Sequence, residues 1–278
     1  MLTAAQSMLT AEEQAEFRRD GFVVARGLVS HEEAFAIRDA FMEQNKDGPI
    51  PGMSEITRTH ASGRKGGYAA SDPLAFYPRM MHPHRVDETA MRFMLHPKLE
   101  PALAALLGEA PIAAQSMFYW KPPTARGQAL HQDNFYLKAY PGTCLAAWVP
   151  VDRADRENGG LFVVPGSHKM DLFCPEEADP TISFTKEFVP VPEGLDQVPV
   201  DLDPGDVLFF GGNVIHGSEP NRTTDRFRRS FICHYIGASS QEVSRYYKPL
   251  YWFDGSEVTV PEATGGGPCG TVEAKGPH

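Results

Sequence analysis

The sequence predicts a mainly β protein with flanking helices, of the sandwich or small-barrel type. From about Ala113 onward, short apolar runs are separated by clusters of Pro, Gly and Asp, which is the pattern of strands joined by tight turns. The region before Ala113 has the pattern of mixed helix and strand. With 278 residues, of which 42% are hydrophobic, the chain is long enough to bury one sizeable core.

Capping signals predict the helices of the N-terminal region. Thr10 with Glu13 forms a capping box, and the helix that follows is expected to end at Gly21. Ser30 with Glu33 forms a second capping box, which opens a helix through "AFAIRDAFMEQ". The run "FVVARGLV" between them indicates a short strand. "DETAMRFML" and "KLEPALAALLG" predict two further helices.

The β region supplies the predicted core. Its candidate strands are "AQSMFYW", "CLAAWVPV", "GLFVVPG", "DVLFFGG" and "SFICHYI". We expect one domain over residues 1–278. It comprises a helical or mixed part with a lid loop over 1–112, the β core over 113–260, and a loose Gly-rich tail over 261–278.

Composition narrows the possible partners and location. The net charge of −10 argues against a nucleic-acid partner, and no apolar stretch is long enough to span a bilayer. The first residues lack the features of a secretory signal. We expect scattered free thiols in a reducing, cytoplasmic setting, not a disulfide framework or zinc site. The cysteines are Cys144, Cys174, Cys233 and Cys269.

A histidine and an aspartate two residues apart form the first part of a candidate metal site. If they lie in a strand, His131 and Asp133 share one face and Gln132 lies on the other. The pair alone is also compatible with an ordinary surface hydrogen bond. His216, in "GGNVIHGSEPN", is the candidate third ligand. Two imidazoles and one carboxylate suit Fe(II), because they leave three adjacent positions for a 2-oxo acid and dioxygen.

A cluster of arginines follows His216 and could hold the far carboxylate of 2-oxoglutarate. A planar guanidinium binds a carboxylate through two parallel hydrogen bonds. Strand parity does not choose among the arginines, because both faces of a double sheet can be buried. The candidates are Arg222, Arg226, Arg228 and Arg229.

Seven motifs in order resemble the phytanoyl-CoA dioxygenase family of Fe(II)/2-oxoglutarate oxygenases. They are "MFYWKPP", "LHQD", "AAW", "ENGGLFVVPGSHK", "GDVLFF", "HGSEPNRT" and "FRRSFICHY", from about residue 115 to 235. The resemblance implies a double-stranded β-helix, or cupin-like jelly roll, and an enzyme. It implies that His131, Asp133 and His216 bind iron, with 2-oxoglutarate and dioxygen as cosubstrates.

The same resemblance implies a cosubstrate pocket. It places Arg228 on the 2-oxoglutarate carboxylate beside Ser218, with Arg228 counted among the catalytic residues. Because the loop between "HGS" and "FR" is about one residue longer than expected, Arg229 and Arg226 stay open as alternatives. It also implies that Met117, Gln132 and Trp148 line this pocket.

The expected reaction is hydroxylation of an unactivated C–H bond of a small organic substrate, with release of succinate and carbon dioxide. Asp133 argues against halogenation, because halogenating relatives carry a small residue there. Two alternatives remain open: a cupin-like metalloprotein that does not use 2-oxoglutarate, and a non-catalytic jelly-roll binding module. Candidate walls of an apolar substrate pocket are Tyr119, Trp120, Phe135 and Tyr136.

Three further features have less specific signals. His168, in "PGSHK", is expected to be a turn residue, and His234 a satisfied interior histidine. Residues 56–86 carry an excess of basic side chains, which indicates either a solvated loop or a lid that meets an anionic substrate. Its charged residues are Arg58, Arg64, Lys65, Arg79 and Arg85, against Asp72. The oligomeric state is not predictable from these patterns.

Overall fold

The protein is built around two antiparallel sheets that pack face to face. The computed structural model describes residues 8–48, 50, 54 and 79–264. The strands are β1 (Phe22–Ala25), β2 (Arg79–Met81), β3 (Pro111–Tyr119), β4 (Gln128–His131), β5 (Leu145–Pro150), β6 (Leu161–Val163), β7 (Glu176–Glu177), β8 (Glu187–Phe188), β9 (Val198–Val200), β10 (Val207–Gly211), β11 (His216–Ser218), β12 (Ser230–Gly237), β13 (Leu250–Tyr251) and β14 (Glu257–Val258).

The first two helices begin where the capping boxes predict, and the first ends at the predicted glycine. Thr10 and Ser30 each accept a hydrogen bond from the backbone of the glutamate three residues later, and that glutamate bonds back to the cap. The first helix ends at Gly21, whose φ of 86° favours glycine. The helices are α1 (Ala11–Asp20), α2 (His31–Gln44), α3 (Glu88–Met94), α4 (Leu99–Leu107) and α5 (Asn134–Leu137).

The larger sheet has eight strands and the smaller one has four. The larger follows the order β1-β10-β5-β12-β3-β13-β14, with β2 also paired to β3, and the smaller follows β4-β11-β6-β9. β7 and β8 form a separate hairpin. The strands β1 and β2 show that the N-terminal part contributes to the larger sheet. The prediction of a single domain over 1–278 with an internal boundary near residue 112 stays a prediction.

Alternate residues of the larger sheet face two different hydrophobic clusters. Phe118, Phe231 and Tyr235 lie in the cluster that also contains the buried residues of the helices. Met117 and Ile232 lie in the cluster that the two sheets share. This alternation follows from the two-residue period of a strand. Strand residues that face the smaller sheet are therefore the ones available to a site between the sheets.

The cysteines correct one expectation. Cys144 and Cys233 are buried free thiols. Cys174 is disulfide-bonded, so the expectation of free thiols is wrong for this residue. Sequence spacing did not reveal the bridge, because the pairing of scattered cysteines cannot be deduced from sequence alone. Cys269 lies outside the described residues, and cysteine usage no longer favours a reducing compartment. None of the described helices is long and apolar enough to cross a bilayer.

Candidate metal centre and adjoining cavity

His131, Asp133 and His216 converge at one end of the space between the sheets. His216 on β11 is paired in register with His131 on β4, and the ring centroids are 4.3 Å apart. Oδ1 of Asp133 lies 3.4 Å from Nε2 of His131 and 3.5 Å from Nε2 of His216. One donor atom from each of the three buried side chains lies within 4.8 Å of the others. The structure therefore brings together the three residues that the sequence singled out.

The route that carries Asp133 into this cluster differs from the one expected. β4 ends at His131, and Asp133 has helical dihedrals of −61° and −36° as the residue before α5. The backbone N–H of Asn134 donates to the carbonyl of Gly212 at 2.9 Å, which anchors this turn to the end of β10. A helical turn after the strand, and not strand parity, thus directs the carboxylate toward the histidines.

Backbone carbonyls fix the orientation of both imidazoles. Nδ1 of His131 lies 2.8 Å from the carbonyl of Ala129, and Nδ1 of His216 lies 3.0 Å from the carbonyl of Val214. Since a carbonyl only accepts, each Nδ1 carries the proton and each Nε2 presents a lone pair. Burial, opposed by Asp133, lowers the pKa of His216 to about 4, so this imidazole is neutral at pH 7. A neutral imidazole is the form that binds a metal.

His234 holds the second oxygen of the aspartate. Its Nε2 lies 2.8 Å from Oδ2 of Asp133, and both side chains are completely buried. This contact leaves Oδ1 as the oxygen that faces His131 and His216. The prediction of a hydrogen-bonded interior histidine is confirmed. Its partner, however, is a residue of the candidate site, which the sequence pattern could not show.

A small cavity adjoins the three residues and contains the expected arginine. Arg228 is 3% exposed, and its guanidinium lies 5.4 Å from the ring of Trp148. Its Nε donates to the carbonyl of Gly159 at 3.0 Å, and its Nη1 donates to Oγ of Ser230 at 3.0 Å. Burial lowers the pKa of Arg228 to about 10, so the cation persists at neutral pH. The cavity lining includes Tyr119, Gln128, His131, Trp148, Leu161, Phe210, His216, Ser218, Arg228 and Ile232.

The other arginines of this region are engaged elsewhere. Arg226 forms ion pairs with Asp155 and Glu157, at 2.7 and 2.9 Å. Arg229 pairs with both oxygens of Asp152, at 2.7 and 2.8 Å. In the described part of the chain, these two arginines are absent from the cavity wall. The geometry therefore favours Arg228 over the two alternatives that the sequence left open.

The remaining residues expected in the cosubstrate pocket divide into two groups. Trp148 lines the cavity, and Met117 packs in the same cluster between the sheets. Gln132 instead donates to the carbonyl of Asn213 at 2.9 Å and accepts from the backbone of Phe173 at 2.8 Å. Its amide therefore ties two loops together outside the cavity. Gln128, which the sequence did not single out, lies in the wall with Nε2 3.1 Å from His131 Nε2.

Lys121 is the other residue that sequence reasoning missed. It is 4% exposed, and Nζ donates to Oγ of Ser218 at 2.8 Å and to the carbonyl of Gly159 at 2.9 Å. Burial and then the charge of Arg228 lower the pKa of Lys121, whereas Glu219 raises it. A lysine between Trp and Pro in "FYWKPP" is flanked by buried residues, and that was the available signal.

The predicted walls of the substrate pocket have different locations. Tyr119 lines the cavity, and Tyr136 lies with its ring centroid 6.4 Å from that of His131. Trp120 packs edge-on against Phe118 in the cluster beneath the helices, so the prediction that it is a pocket wall is wrong. It follows Tyr119 on the opposite side of the chain. Phe135 belongs to a third hydrophobic cluster.

The basic segment is only partly described. Arg79 is buried, donates to the hydroxyl of Tyr119 at 3.1 Å and lies 5.5 Å from the ring of Phe184. Arg85 donates to two backbone carbonyls and is exposed. Residues 55–78, with Arg58, Arg64 and Lys65, lie outside the described residues.

His168 is in a turn, as expected, at Ser167–Lys169.

A jelly-roll core with two imidazoles and a carboxylate beside a buried arginine is the arrangement of metal-dependent oxygenases that bind an oxo acid. The family model of phytanoyl-CoA dioxygenase matches residues 17–230, and the chain belongs to that family. The expected family, jelly-roll fold and enzyme class are therefore confirmed. Iron, 2-oxoglutarate and dioxygen are the cofactor and cosubstrates of this enzyme class.

Several known proteins are similar over most of the chain. Peroxisomal phytanoyl-CoA dioxygenase of Mus musculus is 27% identical over 248 residues, which cover 86% of this chain and 72% of the relative. Phytanoyl-CoA dioxygenase domain-containing protein 1 of Bos taurus is 27% identical over 267 residues, covering 83% and 91%. At this level of identity the relatives support the family assignment and leave the substrate open.

Solved structures share the fold at lower sequence identity. EctD from S. alaskensis with bound Fe has a TM-score of 0.67 at 19% identity, covering 93% of this chain and 89% of that chain. EvdO2 from Micromonospora carbonacea var. aurantiaca, complexed with 2-oxoglutarate, has a TM-score of 0.62 at 21% identity, covering 83% and 91%. The epimerase SnoN from nogalamycin biosynthesis has a TM-score of 0.61 at 22% identity, covering 82% and 83%.

Proposed function

We propose that this chain is an Fe(II)- and 2-oxoglutarate-dependent dioxygenase that hydroxylates an unactivated C–H bond of a small organic molecule, releasing succinate and carbon dioxide. The observation that carries the proposal is the convergence of His131, Asp133 and His216 within 4.8 Å. Two imidazole nitrogens with a fixed tautomer and one carboxylate oxygen match the ligands that non-haem Fe(II) prefers. The residues present therefore fit the iron that the family implies.

Different residues would hold the iron, the cosubstrate and the substrate. His131, Asp133 and His216 hold the iron, which, when bound, supplies the activation of dioxygen. Arg228 and Ser218 hold the far carboxylate of 2-oxoglutarate, since both line the cavity beside the three ligands. Trp148 and Met117 shape the apolar wall of the same pocket. The buried sheets exclude water from the reacting groups, and Tyr119 and Tyr136 border the space for the substrate.

The position of Arg228 argues against a cupin-like metalloprotein that does not use 2-oxoglutarate. A cupin-like protein without 2-oxoglutarate would leave no role for a buried guanidinium in the cavity wall. A non-catalytic binding module would not need three convergent donor atoms. The fold alone does not specify hydroxylation, because the similar protein SnoN is described as an epimerase. Product analysis separates these outcomes, since only hydroxylation adds one oxygen atom to the substrate.

Three finer predictions accompany this proposal. An anionic substrate stays a prediction, because most of the basic segment lies outside the described residues. A cytoplasmic location also stays a prediction, and the mouse relative is described as peroxisomal. The absence of nucleic-acid and membrane partners rests on the net charge of −10 and the lack of a long apolar stretch.

The first test is an anaerobic titration of the purified protein with Fe(II) and then 2-oxoglutarate. We expect the visible metal-to-ligand charge-transfer band of a chelated 2-oxo acid. Asp133→Ala should abolish the band and all turnover, because it removes one of three ligands, while the circular dichroism spectrum stays that of the native protein. Wild-type protein that binds iron but gives no band with 2-oxoglutarate would overturn the proposal.

A second measurement then addresses the reaction. Succinate release is measured over a panel of small organic acids, amino-acid derivatives and acyl-CoA thioesters, and products are examined by mass spectrometry. We expect a gain of one oxygen atom in the product of at least one substrate. Retained turnover in Asp133→Ala with native iron content would contradict the ligand assignment.

A further inference from the structure

Lys121 is a buried basic residue to which the proposed reaction assigns no role. Its Nζ and the Nε of Arg228 donate to the same carbonyl, that of Gly159, at 2.9 and 3.0 Å. The backbone N–H of Arg228 also donates to the carbonyl of Lys121 at 3.1 Å. Two basic side chains therefore converge on one carbonyl beside the cavity, where Arg228 lines the wall and Lys121 lies behind it. Both are nearly inaccessible to solvent, with exposures of 4% and 3%.

Neither of these two basic side chains has a buried counter-ion among the residues that the structure describes. Within the described ranges, neither Lys121 nor Arg228 forms an ion pair with a carboxylate. Glu219 is near enough to raise the pKa of Lys121, but it pairs with Arg222 at 2.6 Å. Asp152 is held by Arg229 instead. Because a buried positive charge is costly when uncompensated, two basic side chains held together at this wall favour an anionic ligand in the adjoining cavity.

Ser218 connects Lys121 to that cavity. Its Oγ lies 2.8 Å from Nζ of Lys121 and 3.4 Å from the backbone N–H of Gln128. The backbone amide can only donate, and an ammonium group can only donate. Oγ therefore accepts from both, and its own proton is left for an acceptor in the cavity that Ser218 lines. In this way Lys121 determines the direction in which the serine hydroxyl donates.

The backbone at Gly159 leaves space for the side chain of Lys121. Gly159 has a φ of 79°, and a Cβ added there would lie 2.6 Å from Cε and 2.8 Å from Nζ of Lys121. Any side chain at position 159 would therefore displace the lysine. The glycine of the "ENGG" motif thus provides both the space and the carbonyl that the two cations share.

We propose that Lys121 is a positioning residue for the far carboxylate of 2-oxoglutarate, which it serves by orienting the hydroxyl of Ser218 and by adding a second positive charge behind Arg228. This inference rests on the proposed function. It extends the proposed function by assigning the preference for a dicarboxylic oxo acid to Lys121, Arg228 and the hydroxyl of Ser218. Lys121 itself need not touch the cosubstrate.

The test compares two cosubstrates that differ only at the far end. Fe(II)-loaded protein is titrated anaerobically with 2-oxoglutarate and with 2-oxopentanoate, in which a methyl group replaces the far carboxylate. Lys121→Met should weaken 2-oxoglutarate about 10- to 100-fold, the range for losing a charged hydrogen-bonding group. It should change 2-oxopentanoate binding by less than about threefold, because that ligand lacks the group concerned. Lys169→Met, in an exposed turn, is the matched control.

Each outcome decides one question. No absorption band from wild-type protein with 2-oxoglutarate would overturn the proposed function itself. A wild-type band with unchanged affinity in Lys121→Met would overturn only the role of Lys121. Equal weakening of both ligands would reveal a purely structural lysine and would also overturn it. If Lys121→Met does not fold, Lys121→Gln keeps a donor without the charge, and the same split between ligands is expected.

Discussion

The two faces of strand β12 contact different parts of the molecule. One face presents Ser230, Ile232 and His234 to the space between the sheets. Arg228, which precedes the strand, lies on the same side. On the other face, Phe231, Cys233 and Tyr235 pack in the cluster beneath the helices. Arg229 begins that second face and pairs with Asp152. Adjacent residues of one strand thus face the candidate site and the packed core in alternation.

This difference shows how one strand separates the residues near the candidate site from those of the packed core. A strand reverses the side of successive side chains, so a one-residue shift would exchange the two sets. Pairing with β3 and β5 on both sides fixes the register of β12. Substitutions on the two faces should therefore change different measured quantities, and they provide direct tests of the separation.

The largest effect is expected on the packing face. Phe231 is 1% exposed, and its ring centroid lies 5.9 Å from that of Phe41. Phe231→Ala should lower the free energy of unfolding by about 3–5 kcal/mol, because it leaves a cavity in a buried cluster. Urea denaturation measures this loss. The affinity for 2-oxoglutarate of the folded variant should stay within about threefold, and a much larger loss would show that the two faces are coupled.

A pair of arginine substitutions gives the next effect. Arg228→Met should weaken the binding of 2-oxoglutarate by about 2–5 kcal/mol, because it removes the buried guanidinium that we propose holds the far carboxylate. Arg229→Met, its matched control, should leave this affinity nearly unchanged, since its guanidinium is held by Asp152. Its free energy of unfolding should fall by about 1 kcal/mol, the value for a partly exposed pair. Equal weakening by both substitutions would contradict the assignment of Arg228.

Much of this arrangement was predictable from local sequence signals. The capping boxes at Thr10 and Ser30 set helix starts, and the apolar runs located the main strands, because both signals act within a few residues. His131, Asp133 and His216 were identifiable from their motifs. Their convergence, however, depends on the register between β4 and β11, which no local pattern specifies.

The features that escaped prediction depend on long-range contacts. Lys121 has its importance only because Ser218, 97 positions away, lies within 2.8 Å of it. The placement of Gln132 depends on two loops that it joins, and the choice among the arginines depends on where Asp152 and Asp155 lie. Such pairings are properties of the assembled fold and leave no periodic trace in the sequence.

His234 offers the smallest predicted effect and the closest test of the binding face. Its Nε2 holds Oδ2 of Asp133 at 2.8 Å, which leaves Oδ1 for the metal. His234→Phe should therefore lower Fe(II) affinity about 10- to 100-fold, the usual cost of losing a partner of a metal ligand. His234→Gln, whose amide can donate from a similar position, should recover most of that affinity.

The measurement for His234 is the equilibrium affinity for Fe(II) under anaerobic conditions, by competition with a coloured chelator. Cys233→Ala, on the packing face of the same strand, is the control and should leave iron affinity unchanged while it lowers stability. A loss of iron affinity in Cys233→Ala as large as that in His234→Phe would mean that strand distortion, and not the hydrogen bond, governs metal binding. Recovery by glutamine but not by phenylalanine isolates the hydrogen bond, because only glutamine keeps a donor facing Asp133.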